Sequence, residues 1–199
     1  MDNQKRQHGQ DKRKIILACA LSLFAEKGYL NTPVREIIDR SGFGTSTFYR
    51  HFSNKEDVLK TLLSDFLEQI INRVNEYFSQ ESDLHLRLIE TKRIVIEVFA
   101  ENKELAEIYS RVPGISDSID QVLKEFDDKF LDFTIKNINY GIKKGIFREL
   151  EVVPIAHGIL GIIKYAVYKG FVLRELSVPE VSHVVTSFQE SLAVGLMKN

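Results

Sequence analysis

The sequence predicts an all-α protein of about nine helices. Apolar residues recur every three or four positions along most of the chain, which is the spacing of one face of a helix. No stretch alternates apolar and polar residues between turn signals, as a half-buried strand does. The eleven glycines and four prolines are too few for a disordered or collagen-like chain, and several of them separate the apolar stripes, where they mark helix ends.

The first three predicted helices are separated by glycine-containing turns. An apolar stripe predicts a helix over about residues 11–27, and Gly28 ends it. A short helix follows over 33–40, with Thr32 as its N-cap and Pro33 in its first turn, where a missing N–H costs little. A tight turn over 41–44 leads to a second short helix over 45–51.

Longer helices are predicted for the rest of the chain. Ser53 and Glu56 match a capping box, in which a hydroxyl and a carboxylate each accept a free backbone N–H, and they predict a helix over about 54–79. Ser177 and Glu180 match the same pattern before the last helix. The other predicted helices cover about 84–101, 103–111, 116–144, 154–174 and 179–197.

Composition excludes several classes of protein. The single cysteine, Cys19, forms no internal disulfide and no thiolate metal cluster. The longest uncharged apolar-rich run, residues 152–163, is shorter than the roughly 20 residues of a membrane span. The N-terminus is charged and contains no apolar core of a secretion signal. We therefore expect a soluble, cytoplasmic protein that does not bind a membrane.

The net charge of −1 hides an uneven distribution. Residues 1–55 contain ten Lys or Arg and five Asp or Glu, whereas residues 56–199 contain 17 and 23. A basic segment of +5 joined to an acidic body of −6 indicates a module that faces a polyanion, with chance clustering as the alternative. We predict two domains with these bounds, 1–55 and 56–199.

Residues 33–52 have the form of a helix-turn-helix, in which two short helices are joined by a glycine-containing turn behind a supporting helix. The second helix of this motif enters the major groove of DNA. Small hydroxylated residues and hydrogen-bond donors occupy that helix, Arg35 lies on the helix before it, and Lys55 starts the next helix, whose N-terminus favours a phosphate. Three aromatic residues are spaced to point inward: Phe43, Phe48 and Phe52.

Residues 13–57 resemble the DNA-binding domain of the tetracycline-repressor (TetR) family of bacterial transcription regulators. The matching runs are ILACALSLFAEKGY at 16–29, TPVREIIDRSGF at 32–43 and TFYRHFSNKE at 47–56. Two positions depart from the usual pattern: Ile38 replaces a small alanine, and Gly44 stands where serine often caps the recognition helix. Glycine is also accepted as an N-cap, so neither departure threatens the fold.

The resemblance implies roles for ten residues. Phosphate contacts are implied for Thr32, Tyr49, His51 and Lys55. Base-edge contacts are implied for Arg35, Thr45, Ser46, Thr47 and Arg50, and Gly44 belongs with Thr45 and Ser46 to the variable positions that leave the operator sequence undetermined. Lys5, Arg6, Lys12, Arg13 and Lys14 form either an arm that reaches the DNA backbone or minor groove, or an unstructured tail.

In the resembling family, the region that corresponds to residues 56–199 forms a dimer and holds a small molecule. Apolar residues at helical spacing on the last two helices suit a four-helix interface between two subunits, although the pattern alone fits packing within one chain equally well. The predicted interface residues are Gly161, Tyr165, Val181, Val184, Val185, Phe188 and Leu192.

An aromatic-rich middle is the candidate ligand pocket. Its residues are Phe66, Ile70, Phe99, Tyr109, Phe126, Phe130 and Phe133. At helical spacing such residues are more often plain core than ligand contacts. Together with the resemblance, they predict a small apolar effector, either fatty-acyl-like or drug-like.

Catalytic motifs are missing from the sequence. Glu180 and His183 form one Glu-x-x-His pair, whereas a di-iron bundle needs two such pairs and further glutamates. No nucleophile elbow, phosphate-binding loop or paired-histidine protease motif occurs. We therefore predict no enzyme, no cofactor and no metal. The predicted function is a dimeric, ligand-responsive DNA-binding regulator, most often a repressor in this family; the alternative is an architectural or division-linked DNA-binding protein without an inducing ligand.

Overall fold

The computed structural model describes residues 2–80 and 83–196, and these residues are helical with no strand, as predicted. Nine α-helices lie within this part of the chain. They are α1 (Asp2–Lys27), α2 (Val34–Ser41), α3 (Thr45–His51), α4 (Lys55–Gln80), α5 (Leu84–Glu101), α6 (Lys103–Arg111), α7 (Asp117–Lys143), α8 (Val152–Val167) and α9 (Val178–Leu196). A π-helical turn, Tyr168–Val172, continues α8.

The N-terminal part of the chain, α1–α3, is the head, and α4–α9 form the body. In the head, α2 packs on α1, and Phe24, Ile37, Phe48 and Phe52 close a small core. Gly42 ends α2 with φ +71°, a left-handed conformation that glycine adopts without strain, and so makes the turn into α3. Helix α4 begins at the predicted domain boundary and runs into the body. The division of the chain into domains 1–55 and 56–199 stays a prediction.

Within the body, α4, α5, α7, α8 and α9 pack on one another, and α6 lies on the side of the body that contacts α1 of the head. At the end of α8 the backbone comes close to α9: a Cβ built on Gly170 would lie 2.4 Å from Cγ2 of Val181. The segment Val152–Val172 has the length and composition of a membrane span. Core helices of soluble proteins share that property, and here Ala156, Ile159 and Ile163 pack inside the body.

Helix α1 begins much earlier than predicted. Residues 2–10 contain no apolar stripe, but they also contain no proline, and Gln, Lys and Arg are good helix formers. Arg13 donates to Thr61 Oγ1 at 3.2 Å and lies over the ring of Phe52, so it is part of the folded head rather than of an arm or a tail. Lys12 lies over the ring of Phe43, and Lys14 is exposed on α1. The side chains of Lys5 and Arg6 lie outside the described part of the chain.

Two predicted caps are wrong. The box that opens α4 lies one residue later: Asn54 Oδ1 accepts the N–H of Asp57 at 2.8 Å, and Asp57 Oδ2 accepts the N–H of Ser53 at 2.9 Å. Glu56 therefore takes no part in the cap, and its carboxylate accepts hydrogen bonds from Ser116 and Ser118 in the body. Thr32 is not the cap of α2, because Pro33 occupies that position in an extended conformation. At the start of α9 one bond of the predicted box is present: the N–H of Ser177 donates to Glu180 Oε2 at 2.7 Å, while the Ser177 hydroxyl donates to the same oxygen at 2.6 Å.

Candidate DNA-binding surface and effector cavity

Helix α3 presents a polar face to solvent and an aromatic face to the core. Its N-cap is Gly44, which precedes Thr45 in an extended conformation. Phe48 is fully buried and anchors the inner face. Thr45, Ser46, Tyr49 and Arg50 are exposed, and Tyr49 keeps 54% of its surface open although it contacts Phe48 edge-on. The outer face of α3 is therefore accessible along its length.

The basic side chains beside this face are only loosely held. The side chain of Arg35 is 91% exposed, and its Nε lies 3.9 Å from Asp39 Oδ2. Arg50 makes a long hydrogen bond of 3.4 Å to Oγ1 of Thr47. Exposed contacts of this length contribute little, so both guanidinium groups are free to turn toward a nucleic acid.

His51 lies half-buried at the end of α3. Burial lowers the pKa of its imidazole, and the nearby charges of Arg50, Arg13 and Lys12 lower that pKa further. The three cations thus create a positive potential at this end of the head, which suits a phosphate. Lys12 and Arg13 lie near His51 because residues 12 and 13 belong to helix α1. In the sequence, only their positive charge indicated a role in DNA binding.

Two predicted phosphate contacts are occupied inside the protein. Thr32 has no exposed surface, and its hydroxyl donates to the carbonyl oxygens of Gly28 at 2.9 Å and Leu23 at 3.3 Å. Lys55 donates to the carbonyl oxygen of Tyr29 at 2.8 Å, and burial lowers the pKa of its ammonium group. The Thr32 hydroxyl is therefore bonded inside the protein and not available to a phosphate, whereas the phosphate contact of Lys55, which is half-buried and has three N–H donors, stays a prediction.

A cavity of about 170 Å³ opens between α4, α5 and α7. Its walls are mostly apolar, and Asn75, Thr91 and Lys129 add polar groups. Asn75 and Lys129 are exposed to solvent and so mark its mouth. The lining residues are Ile70, Ile71, Val74, Asn75, Thr91, Val95, Phe126, Lys129, Phe130 and Phe133.

A smaller void of about 10 Å³ lies deeper in the body and shares Val95, Phe126 and Phe130 with the cavity. Phe99, Tyr109 and Lys164 line this void. Of the seven predicted pocket residues, four line the cavity, Phe99 and Tyr109 join Phe126 and Phe130 at the void, and Phe66 lines neither. Phe66 instead packs edge-on against Phe99, with ring centroids 5.0 Å apart.

Two polar side chains, Tyr109 and Lys164, lie among the apolar residues that line the inner void. Lys164 forms an ion pair with Oδ2 of Asp127, whose Oδ1 is buried without a hydrogen-bond partner in the part of the chain that the structure describes. Burial, followed by the charge of Asp127, raises the pKa of Tyr109.

The residues of the predicted dimer face differ in exposure, and the interface itself stays a prediction. Gly161, Tyr165 and Phe188 are exposed, and Val184 and Leu192 are half-buried. Val181 and Val185, however, are 0% and 1% exposed and pack within this chain. For these two valines the alternative of packing within one subunit holds, because α5 and α8 cover the part of α9 on which they lie.

The fold and the outward face of α3 define a helix-turn-helix DNA-binding regulator. The sequence profile of the bacterial regulatory proteins of the tetR family matches residues 16–62. A protein of Syntrophomonas wolfei str. Goettingen assigned to the TetR family of transcriptional regulators has a crystal structure that is 53% identical in sequence, with a TM-score of 0.85 and coverage of 94% of this chain and 97% of that one. The chain belongs to the TetR family of bacterial transcriptional regulators, and it is not an enzyme.

More distant relatives have the same domain and fold. The transcriptional repressor KstR2 of Rhodococcus jostii is 26% identical over 151 residues, which are 75% of this chain and 74% of the relative. The transcriptional regulator FadR of Bacillus subtilis, solved in complex with stearoyl-CoA, is 23% identical with a TM-score of 0.80, and the match covers 92% of this chain and 98% of that one.

Proposed function

We propose that this regulator is a cytoplasmic repressor that binds a palindromic operator as a homodimer and leaves it when a small apolar effector enters the body. The observation that carries the proposal is the path of α4. This helix begins at the head, and Ile70 and Val74 farther along it line the cavity. A change in the cavity therefore acts on the element that supports the head.

The proposed operator contacts divide by chemistry. Tyr49 and His51 contact phosphates and supply affinity that falls with salt. Arg35, Thr45, Ser46, Thr47 and Arg50 read base edges. Two such helices related by a two-fold axis fit successive major grooves about 34–36 Å apart, so the operator is an inverted repeat.

The dimer forms through the outer face of α8 and α9. Small residues, Gly158 and Gly161, allow close approach of a partner helix, and Tyr165 and Phe188 supply exposed aromatic surface. Exposed apolar surface of this kind is typical of a site that binds another protein. Because Val181 and Val185 fill the core of their own subunit, the interface depends on Gly161, Tyr165, Val184, Phe188 and Leu192.

The effector is apolar with a polar end. Cavities of about 150 Å³ with dry walls hold a molecule the size of benzene, so the cavity as it stands accepts a short effector. A longer acyl chain enters when Phe126 and Phe130 turn, because these rings separate the cavity from the inner void. Lys129 at the mouth suits an anionic head group, and the stearoyl-CoA complex of the FadR relative supports this class.

The test is a titration of the protein–operator complex with stearoyl-CoA, followed by fluorescence anisotropy of the labelled operator. The proposal predicts release of the operator with saturation at one effector per subunit. If stearoyl-CoA binds stoichiometrically but the operator is not released, ligand binding in the body does not regulate DNA binding. If no acyl-CoA or other apolar metabolite releases the operator, the result fits the architectural alternative.

A further inference from the structure

The first turn of α4 makes polar contacts in two directions. Lys55 Nζ donates to the carbonyl oxygens of Tyr29 at 2.8 Å and Leu30 at 3.3 Å, and it lies 4.5 Å from the centre of the Tyr29 ring. Glu56 Oε1 accepts hydrogen bonds from the hydroxyls of Ser116, at 3.0 Å, and Ser118. Consecutive residues point about 100° apart on a helix, so one turn reaches both the head and the body.

These two anchors hold opposite walls of a groove of about 450 Å³. Tyr29 and Leu30 belong to the head wall, and Val112 and Ile115 belong to the body wall. Ser116 directly follows Ile115 in the chain. The groove shows that the two walls are not packed together here, so their separation depends on the polar contacts of α4 together with the packing of α1 on α6.

The body anchor is the start of the helix that carries the cavity. Ser116 is the N-cap of α7 and accepts the N–H of Ile119, while Phe126, Lys129, Phe130 and Phe133 on the same helix line the cavity. A helix moves as a rigid element over this distance. Displacement of α7 at the cavity therefore changes the contact between its first turn and Glu56.

We propose that the first turn of α4 is a two-sided clamp, with Lys55 on the head and Glu56 on α7, through which the cavity sets the position of the head. Glu56 is a positioning residue, because it acts through its contacts with Ser116 and Ser118 of α7. Its two hydrogen bonds are charge-assisted, hence stronger than neutral ones, and they lower the pKa of the Glu56 carboxyl. The claim that the clamp transmits effector binding rests on the proposed function, whereas the claim that the clamp fixes the position of the head relative to the body does not.

The experiment measures the distance between head and body within one chain. Spin labels are attached at Asp39→Cys on α2 and Asp132→Cys on α7, both exposed positions, in a Cys19→Ser background and with excess unlabelled chain. The clamp predicts a single narrow distance distribution in the parent and a broadened one in Glu56→Ala and Ser118→Ala. Glu56→Gln restores the narrow distribution, because an amide oxygen still accepts from both serines.

Glu68→Ala is the matched control, since it removes the same charge from an exposed position on α4. A parent-like distribution in both Glu56→Ala and Ser118→Ala would overturn the clamp. Ser118→Ala decides the question if Glu56→Ala does not fold, because it removes one hydroxyl and leaves the cap of α7 intact.

A second readout separates the clamp from the proposed function. Ordinary allosteric coupling changes affinity about 5–150-fold, and the clamp predicts that the effect of stearoyl-CoA on operator affinity falls toward onefold in Glu56→Ala while the affinity for stearoyl-CoA itself is kept. If stearoyl-CoA does not bind the parent protein, the proposed effector class fails, yet the distance distributions still decide whether the clamp exists.

Discussion

Glu26 of α1 and Arg40 of α2 form a two-pronged ion pair, with Oε1 2.6 Å from Nη1 and Oε2 3.0 Å from Nη2. Ser22 joins the pair by donating to Glu26 Oε1 and accepting from Arg40. Paired bonds of this kind fix orientation as well as distance. The contact holds α2 against α1 and so sets the angle at which the turn delivers α3.

This pair predicts a pH-dependent contribution to stability. The guanidinium of Arg40, with help from Ser22, lowers the pKa of Glu26 to about 2 from an ordinary value of 4.5. Between these two values the unfolded chain binds the proton more readily, so the contribution is present above about pH 4.5 and is lost as pH falls toward 2. Glu26→Gln should therefore lower the melting temperature at pH 7 and have a shrinking effect below pH 4, with Glu68→Gln as the control. An equal decrease of the melting temperature at pH 7 and below pH 4 would contradict the lowered pKa of Glu26.

Tyr49→Phe should weaken binding to every duplex by the same factor. Tyr49 is exposed, and a hydrogen bond to a charged group such as phosphate contributes about 1.5–3 kcal/mol, so a loss of about 10- to 150-fold per contact is expected. Electrophoretic mobility or anisotropy with operator and unrelated DNA gives the two affinities. Tyr140→Phe, half-exposed on α7, should change neither. A loss confined to the operator would show that Tyr49 reads sequence instead.

Phe188→Glu should give folded monomers with weak operator affinity. Phe188 is 37% exposed, so a carboxylate there remains hydrated in the free subunit and opposes association. Sedimentation velocity measures the mass, and Leu30→Glu, on an exposed residue of the head, should remain dimeric. Val185→Glu should instead destabilise the subunit itself, because it places a charge in the core. A Phe188→Glu protein that stays dimeric would refute this interface.

Val74→Phe should abolish the effect of the effector while keeping operator binding. Val74 lines the cavity and is nearly buried, and the larger ring occupies part of the 170 Å³ that the effector needs. Calorimetry with stearoyl-CoA measures binding, and thermal unfolding shows whether the ring is accommodated, since overpacking costs about 1–3 kcal/mol. Val153→Phe, at an exposed position on α8, is the control. Unchanged stearoyl-CoA affinity in a folded Val74→Phe protein would place the effector elsewhere.

Lys92 predicts a second pH dependence of stability, and its cause is the burial of a charged group and not an ion pair. Burial in α5 lowers the pKa of its ammonium to about 7 from 10.5. Between pH 7 and 10 the unfolded chain binds the proton more readily, so stability rises with pH over this range. Lys92→Met should remove that rise, whereas Lys14→Met, on an exposed residue, should keep it. Denaturant unfolding at pH 7 and pH 9.5 measures the free energy of unfolding of each variant. If this free energy rises equally with pH in Lys92→Met and in the parent, the lowered pKa of the Lys92 amine is contradicted.

The sequence predicts helices well where local signals meet no tertiary competition. The predicted bounds of α3, α5 and α6 agree with those of the structure. The two cap errors have a common cause: Thr32 and Glu56 match local capping patterns, but stronger partners lie elsewhere in the fold. Thr32 bonds two carbonyl oxygens of the α1 end, and Glu56 bonds serines sixty residues away.

Surface and void are harder to predict than helices. Periodicity placed Val181, Val185 and Phe188 on an apolar helix, but the face that meets a partner depends on which side α5 and α8 cover. Likewise Phe66 and Phe130 have the same sequence signature, yet one fills the core and the other lines a cavity. A void arises from the gaps that neighbouring side chains leave, and a sequence pattern carries no information on gaps.

The central claim is tested most directly by selection of random duplex DNA with the purified protein near physiological salt, repeated with stearoyl-CoA present. The account predicts an enriched inverted repeat with half-sites about one helical turn apart, and loss of that enrichment when the effector is added. Uniform, salt-sensitive binding without an enriched sequence in either condition would contradict it and would favour an architectural DNA-binding protein.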